Sequence, residues 1–233
     1  MAGQKLSNLK QRIRDGELSY YVKRFLPGGN PVLYGGVQLI FRLADVQKFE
    51  ELFEIVSRRF GHEFKRADET DIEQLCGEFP AEAEVFRRRV RRGNYCYLSL
   101  KGEEITGFLW AREAEGEFFD TNTLWIFRPD QMDGLWGIYA YVKPEYRLQG
   151  LFPFLMGSAR RDFLPKGYDR MYGETNGGNK ASIQTHLSAG YEIVWKVVYV
   201  SILGLKLYFA RNLTTGRRTF SYSYALRVAE YRL

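Results

Sequence analysis

Helical periodicity in the first third of the chain, aromatic-rich strands in the middle, and a strand–helix–strand–helix alternation near the end predict a mixed α/β fold of the α+β kind. Its sheet is expected to be mostly antiparallel and twisted, with helices along it. A doubly wound parallel sheet is not expected, because strands and helices do not alternate throughout. The chain has 233 residues, of which 45% are hydrophobic and 16% aromatic, enough to build a sizeable core. No apolar run approaches the roughly 20 residues that span a bilayer. The first residues are polar, unlike a secretory leader, and the two cysteines are too few for a disulfide framework. These features predict a cytoplasmic protein.

Three divisions are expected: an N-terminal arm over 1–36, a folded domain over 37–210, and a tail over 211–233 that could add an edge strand. The arm carries the turn-rich Pro27-Gly28-Gly29-Asn30-Pro31. Val37–Leu43, β-branched and apolar, reads as a strand. Val46, Phe49, Leu52, Phe53, Val56 and Phe60 then recur at helical spacing behind Asp45, a good N-cap. Thr70 and Glu73 suit a capping box for a short helix ending before Pro80, and a second short helix is expected over Ala81–Arg92. Its run Arg87-Arg88-Arg89-Val90-Arg91-Arg92 reads as a solvated face. No aromatics interleave with it, so no nucleic-acid partner is inferred.

Tyr95–Leu100 and Glu104–Ala111 flank Lys101-Gly102-Glu103 as a hairpin, and Phe118–Phe127 and Leu135–Val142 read as two further strands. A helix follows Gly150, with Pro153 in its first turn and Pro165 past its end. A strand at Arg170–Glu174, a helix at Asn179–Ser188 and strands at Tyr191–Ile202 and Leu207–Ala210 complete the pattern. Phe220–Leu226 is the candidate edge strand, and its aromatic part could serve a homodimer interface.

One junction is built for chemistry. In Tyr141-Val142-Lys143-Pro144-Glu145-Tyr146-Arg147-Leu148-Gln149-Gly150-Leu151-Phe152 the proline ends a strand, and a loop then leads into a helix. Main-chain N–H groups at Leu148 to Leu151 are free to bind an anion beside the positive end of the helix dipole, and Arg147 adds a charge. A second segment, Asn179-Lys-Ala-Ser182-Ile183-Gln-Thr-His186-Leu-Ser-Ala-Gly190-Tyr191, opens with a capping Asn and closes with Gly.

Here the chain resembles the GNAT superfamily of acyl-CoA-dependent N-acetyltransferases. Val142 to Phe152 matches V-x-P-x-[YW]-[RQ]-x-x-G-x-[GA] except at its last position, and Asn179 to Tyr191 fits N-x-x-[AS]-[IV]-x-x-[YH]-x-x-x-G-[FY] throughout. The resemblance implies a GNAT-like form of the sheet, with acetyl-CoA as co-substrate. It implies that the Tyr141–Val142 backbone splays from its neighbour and pairs with the pantetheine amides. Arg147, Leu148, Gln149, Gly150, Leu151 and Phe152 would hold the pyrophosphate, and Asn179 and Ser182 would lie beside the thiol end. Phe152 departs from the signature, and Pro153 has no N–H to offer.

The implied reaction moves an acetyl group directly to the primary amine of a small molecule, amino sugar or peptide, with no metal. His186 stands where the family places its general acid. Glu174 leads the candidate bases, ahead of Asp120 and Glu113. A base is needed most for a Lys-like amine, whose deprotonation at neutral pH costs about 4 kcal/mol, against about 1 kcal/mol for an α-amine. Tyr139, Tyr141, Trp110, Trp125 and Trp136 could border an acceptor cleft, or fill the core. Two alternatives stand beside this reading: a non-catalytic acyl-CoA-binding module, and transfer of a longer acyl chain.

Overall fold

The computed structural model describes residues 33–224 apart from 115–117, 121–124, 128–133, 148 and 203–204. The turn in the arm, the end of the tail and Leu148 therefore lie outside the described residues. Eleven strands and five α-helices are described. In chain order they are β1 (Leu33–Leu43), α1 (Val46–Arg59), β2 (Glu63–Arg66), α2 (Glu69–Glu78), α3 (Ala83–Arg91), β3 (Tyr95–Lys101), β4 (Glu104–Ala114), β5 (Phe118–Asp120), β6 (Trp125–Phe127) and β7 (Gly134–Val142). Then follow α4 (Leu151–Phe163), β8 (Met171–Asn176), α5 (Lys180–Ser188), β9 (Tyr191–Ile202), β10 (Leu205–Asn212) and β11 (Arg218–Tyr224). The fold is the expected mixed α/β one, mostly antiparallel; β7 and β8 form a parallel ladder.

The chain divides into two compact units. One holds 43–173 and 188–191; the other holds 33–42, 174–187 and 192–224 of the described residues. In the first unit the strand order is β8-β7-β4-β3-β2, with β8 contributing Met171–Gly173. Helix α4 lies on β7, β4 and β3, and α1 packs on α4. The periodicity read in α1 is what buries it: Phe53 and Val56 join Leu151 and Phe154 in one cluster, with the Phe53 and Phe154 rings stacked at 5.1 Å. Gly157 lets the two helices meet, since a Cβ there would lie 2.4 Å from the Phe53 ring. Asp45 caps α1 by accepting from the Lys48 N–H at 3.0 Å, as its position suggested.

Three expectations are corrected in this unit. The capping box of α2 is built by Asp68 and Asp71, not Thr70 and Glu73, because Asp68 holds the extended conformation just before the first turn. Phe118–Phe127 forms two three-residue strands rather than one. In the arginine run, Arg89 is buried against the Trp110 and Tyr139 rings, while Arg87 and Arg91 pair with Glu73 and Glu84.

In the other unit the order is β11-β10-β9-β1-β8, with β8 contributing Glu174–Asn176. Gly35 of β1 admits a close approach, since a Cβ there would meet the Tyr199 carbonyl at 2.7 Å. Strands β9, β10 and β11 form an antiparallel meander in continuous register from Trp195 to Tyr224.

Candidate functional site

The site starts with an irregularity in β7. Its antiparallel ladder with β4 runs Gly107–Val142, Phe108–Tyr141, Leu109–Ala140 and Trp110–Tyr139, then resumes at Ala111–Gly137. Ile138 is the extra residue of a β-bulge. The parallel ladder to β8 ends at Gly137–Gly173. Beyond it, the hydrogen bond from the Lys143 N–H to the Thr106 carbonyl (3.0 Å) sets the alternation of the ladder. Tyr139 and Tyr141 exchange hydrogen bonds with β4, whereas Ala140 and Val142 aim their main-chain groups at the opposite edge. The Val142 carbonyl accepts there from Arg147 Nε at 3.2 Å. The N–H groups of Ala140 and Val142 have no acceptor among the described residues.

The loop after β7 is clamped by side chains. Lys143 lies 3.2 Å from both Glu78 and Glu104, and the Tyr146 hydroxyl donates to Glu104 at 2.7 Å. Hydrogen bonds from Tyr146 and Lys143 hold the Glu104 carboxyl below its usual pKa. Burial opposes the Lys143 charge, but its bonds to Glu104 and Glu78 outweigh that and raise its pKa. Deeper in, His62 is 5% exposed and packs edge-on to Tyr146. Its Nε2–H donates to Gln149 Oε1 at 3.1 Å, which leaves Nδ1 as an acceptor facing the Thr106 and Ser99 hydroxyls at 3.2 and 3.4 Å. Sequence reading gave His62 no role, because its partners lie 44 and 87 residues away.

Gly150 then starts α4 with φ +76°. Two constraints demand glycine: the left-handed backbone, and Val56, whose Cγ2 would lie 2.6 Å from a Cβ. Among the described residues the N–H groups of Gln149, Gly150 and Leu151 have no acceptor, and the terminal guanidinium nitrogens of Arg147 have no partner. Phe152 is the second residue of α4 and half-buried. Pro153 is the third, a position where its missing N–H costs no helical bond. The clamps use side chains and leave the N–H groups of Gln149, Gly150 and Leu151 open, an arrangement that could accept an anion at a helix start.

The second motif lies in the other unit, and there its polar groups are engaged. Asn179 Oδ1 accepts from the Ser182 N–H at 3.1 Å and its carbonyl from the Ile183 N–H at 3.0 Å, so it is the N-cap of α5. His186 is 2% exposed, stacks on Phe41 at 4.5 Å, and donates Nδ1–H to the Ser182 carbonyl at 2.8 Å. Burial pushes its pKa down to about 4, so the imidazole is neutral at pH 7. That environment does not suit an imidazolium acid. Glu174 is half-buried, and its Oε2 accepts from Gln38 Nε2 at 3.3 Å. The closing Gly190 belongs to the first unit. Its carbonyl accepts from the Ala44 and Asp45 N–H groups at 3.0 and 2.9 Å, and its φ is +88°.

Of the cleft aromatics, Trp110 and Trp136 are core residues with 0% and 1% exposure, and Tyr141 packs between Phe79 and Phe108. Tyr139 is half-buried, and burial with the nearby Glu82 raises its pKa to about 12. Glu113 bonds Tyr95 and Tyr168. The side chains of Asp120 and Trp125 lie outside what is described. Burial raises the Cys96 thiol, which is inert for that reason.

No family model matches the chain, and no curated protein does. Solved structures do. A functionally unknown conserved protein from Staphylococcus epidermidis is 12% identical, with a TM-score of 0.51 over 72% of this chain and 61% of that one. The aminoglycoside N-acetyltransferase AAC(6')-Iy in complex with CoA is 18% identical, with a TM-score of 0.45 over 56% of this chain and 91% of that one. A putative GNAT-family acetyltransferase from Novosphingobium aromaticivorans is 13% identical, with a TM-score of 0.45 over 76% and 68%. The likeness to the staphylococcal protein is one of fold.

Proposed function

We propose that the protein is an acyl-CoA-dependent N-acyltransferase, with acetyl-CoA as co-substrate and a primary amine as acceptor. The observation that carries this reading is two groups of open main-chain donors, Ala140 and Val142 at the strand edge and Gln149, Gly150 and Leu151 at the helix start, with Arg147 between them in sequence and bonded to the Val142 carbonyl. An extended ligand with amides at one end and a pyrophosphate at the other matches these two groups in chemistry. The two signature segments support the same ligand. Coenzyme A would supply the activated acyl group as a thioester.

Within this reading, the β7 edge orients the pantetheine arm, and the loop and first turn of α4 hold the diphosphate. Holding both reactants in one complex removes roughly 7–11 kcal/mol of barrier. The Ala140 or Val142 N–H would polarise the thioester carbonyl. Glu174 is the proposed base, and its bond to Gln38 fixes the carboxylate as an acceptor. His186 keeps α5 in place through the Phe41 stack and the Ser182 carbonyl. The proton for the departing thiolate then comes from solvent or from the attacking nitrogen, which must lose one to become the amide.

The test is thiol release from acetyl-CoA across a panel of amines, with acetyl-CoA binding measured in parallel. Turnover above background with any amine, reduced at least tenfold in Glu174→Gln, is the expected result. Absence of both binding and turnover overturns the reading. Binding without turnover for every amine selects the second reading, a non-catalytic acyl-CoA-binding module, which the neutral, buried His186 favours. Comparing acetyl- with longer acyl-CoA affinities separates the third reading, transfer of a longer chain.

A further inference from the structure

The β9–β10–β11 meander carries a face that a half-buried sheet should not have. One side, with Val197, Tyr199, Tyr208 and Ala210, is buried. The other is expected to be polar, by the alternation of antiparallel strands. Register shows what it holds instead. Cross-strand rows on that side are Lys196–Arg211–Arg218, then Val198–Phe209–Phe220, then Val200–Leu207–Tyr222, then Ile202–Leu205. Tyr222, Phe220 and Phe209 are 71%, 57% and 49% exposed, and Val198 and Ile202 are exposed as well. The Phe209 and Phe220 rings touch at 5.0 Å. Contiguous exposed apolar surface of this kind marks an interaction site.

The first row says what kind of partner fits. Lys196, Arg211 and Arg218 are all exposed, and none has an ion-pair partner among the described residues. These four rows contain no acidic residue. Rows are about 7 Å apart, two residues along each strand. The cations therefore border an aromatic and aliphatic field about 14 Å long, close enough for one flat surface to meet both. A partner needs an apolar layer beside a layer of negative charge. A lipid leaflet has both at that spacing, and Phe and Tyr rings suit the interface between them.

We propose that this face docks on an anionic lipid bilayer, with Phe209, Phe220 and Tyr222 at the acyl boundary and Lys196, Arg211 and Arg218 on the headgroup phosphates. The contact is peripheral: apolar burial and basic charge act together, as stable surface anchoring requires. It stands apart from the acyl-transfer reading and survives its failure.

Co-sedimentation of the full chain with phosphatidylcholine vesicles containing about one third phosphatidylserine tests it. The chain is expected to partition onto these and not onto pure phosphatidylcholine. Arg211→Gln and Arg218→Gln should each weaken binding about fivefold. The double variant Phe209→Ser/Phe220→Ser should weaken it more than tenfold, with the circular dichroism unchanged because both positions are exposed. Tyr222→Ser is the milder check on the same face. No partition of the wild type overturns the proposal, and so does binding that ignores phosphatidylserine or survives loss of both phenylalanines. A dimer in light scattering that the same double variant dissociates, with vesicles left unbound, replaces the lipid with a second copy of the chain.

Discussion

The loop from Lys143 to Leu151 and the segment from Asn179 to His186 lie in the two stretches that resemble GNAT signatures, yet they spend their polar groups in opposite ways. In the loop, side chains bind one another: Lys143 and Tyr146 to Glu104, Gln149 to His62. Among the described residues the main-chain N–H groups of Gln149, Gly150 and Leu151 are left open. In the second segment, side chains bind the main chain: Asn179 caps the Ser182 N–H, and His186 donates to the Ser182 carbonyl. The first arrangement leaves main-chain donors without a protein partner among the described residues, and the second consumes its polar groups in holding a helix. A motif residue can thus be retained for its fold as readily as for its chemistry.

Gly150 offers the hardest blow to that contrast. Gly150→Ala forces a side chain into φ +76° and against Val56, so a loss of about 3 kcal/mol is expected in chemical denaturation. Acetyl-CoA binding should fall at least tenfold. Adding Val56→Ala removes the clash but not the backbone strain. The double variant should regain part of the stability while binding remains weak. Full recovery of binding would show that the glycine serves packing alone.

The next effect comes from His186. Its pKa is about 4 when folded, against 6.5 as the ordinary value. The folded value is depressed, so the contribution is fully present above pH 6.5 and is lost as pH falls towards 4. Stability should drop by about 1.5 kcal/mol between pH 6.5 and 5 from this group. His186→Phe should flatten that slope in urea titrations while keeping the stack on Phe41. A turnover that collapses in His186→Phe at neutral pH would return the residue to the chemistry.

His62→Ala removes the anchor of Gln149 and should weaken acetyl-CoA binding by about 1–2 kcal/mol, with the turnover number unchanged. An equal fall in both would place His62 in the reaction. Asn179→Ala is the mildest test. Loss of its cap should cost about 1 kcal/mol of stability, and acetyl-CoA binding should change less than threefold. A larger binding loss would bring the second segment into line with the first.

Much of this is legible in the sequence. The stripe from Val46 to Phe60 gave α1 because 3.6-residue periodicity and an Asp cap speak locally. Strand β9 was bounded correctly from its β-branched run and its flanking glycines. Strand β2 was not seen: Glu63-Phe-Lys-Arg is four residues long and owes its pairing to β3. The loop after β7 is marked in the sequence by proline, arginine and glycine at set spacing, but its clamp is not. His62 reaches Gln149 across 87 residues, and no local pattern carries that information. Equally, nothing in the helix pattern of Asn179–Ser188 announced that His186 would be dry. Phe41, its stacking partner, lies in another element.

The extra residue at Ile138 changes the count along β7 but not its faces. Side chains change sides at every step of a strand, so one inserted residue shifts which sequence positions share a face. Leu135 and Gly137 share a face with Ala140 and Val142, while Tyr139 and Tyr141 turn to the other. The pairing with β4 fixes those directions: Tyr139 stays opposite Trp110, Ala140 opposite Leu109, Tyr141 opposite Phe108 and Val142 opposite Gly107. Deleting Ile138 would close the ladder and leave every one of these faces unchanged. What the insertion adds is a local bend and extra twist, placed where the parallel partner strand stops at Gly137.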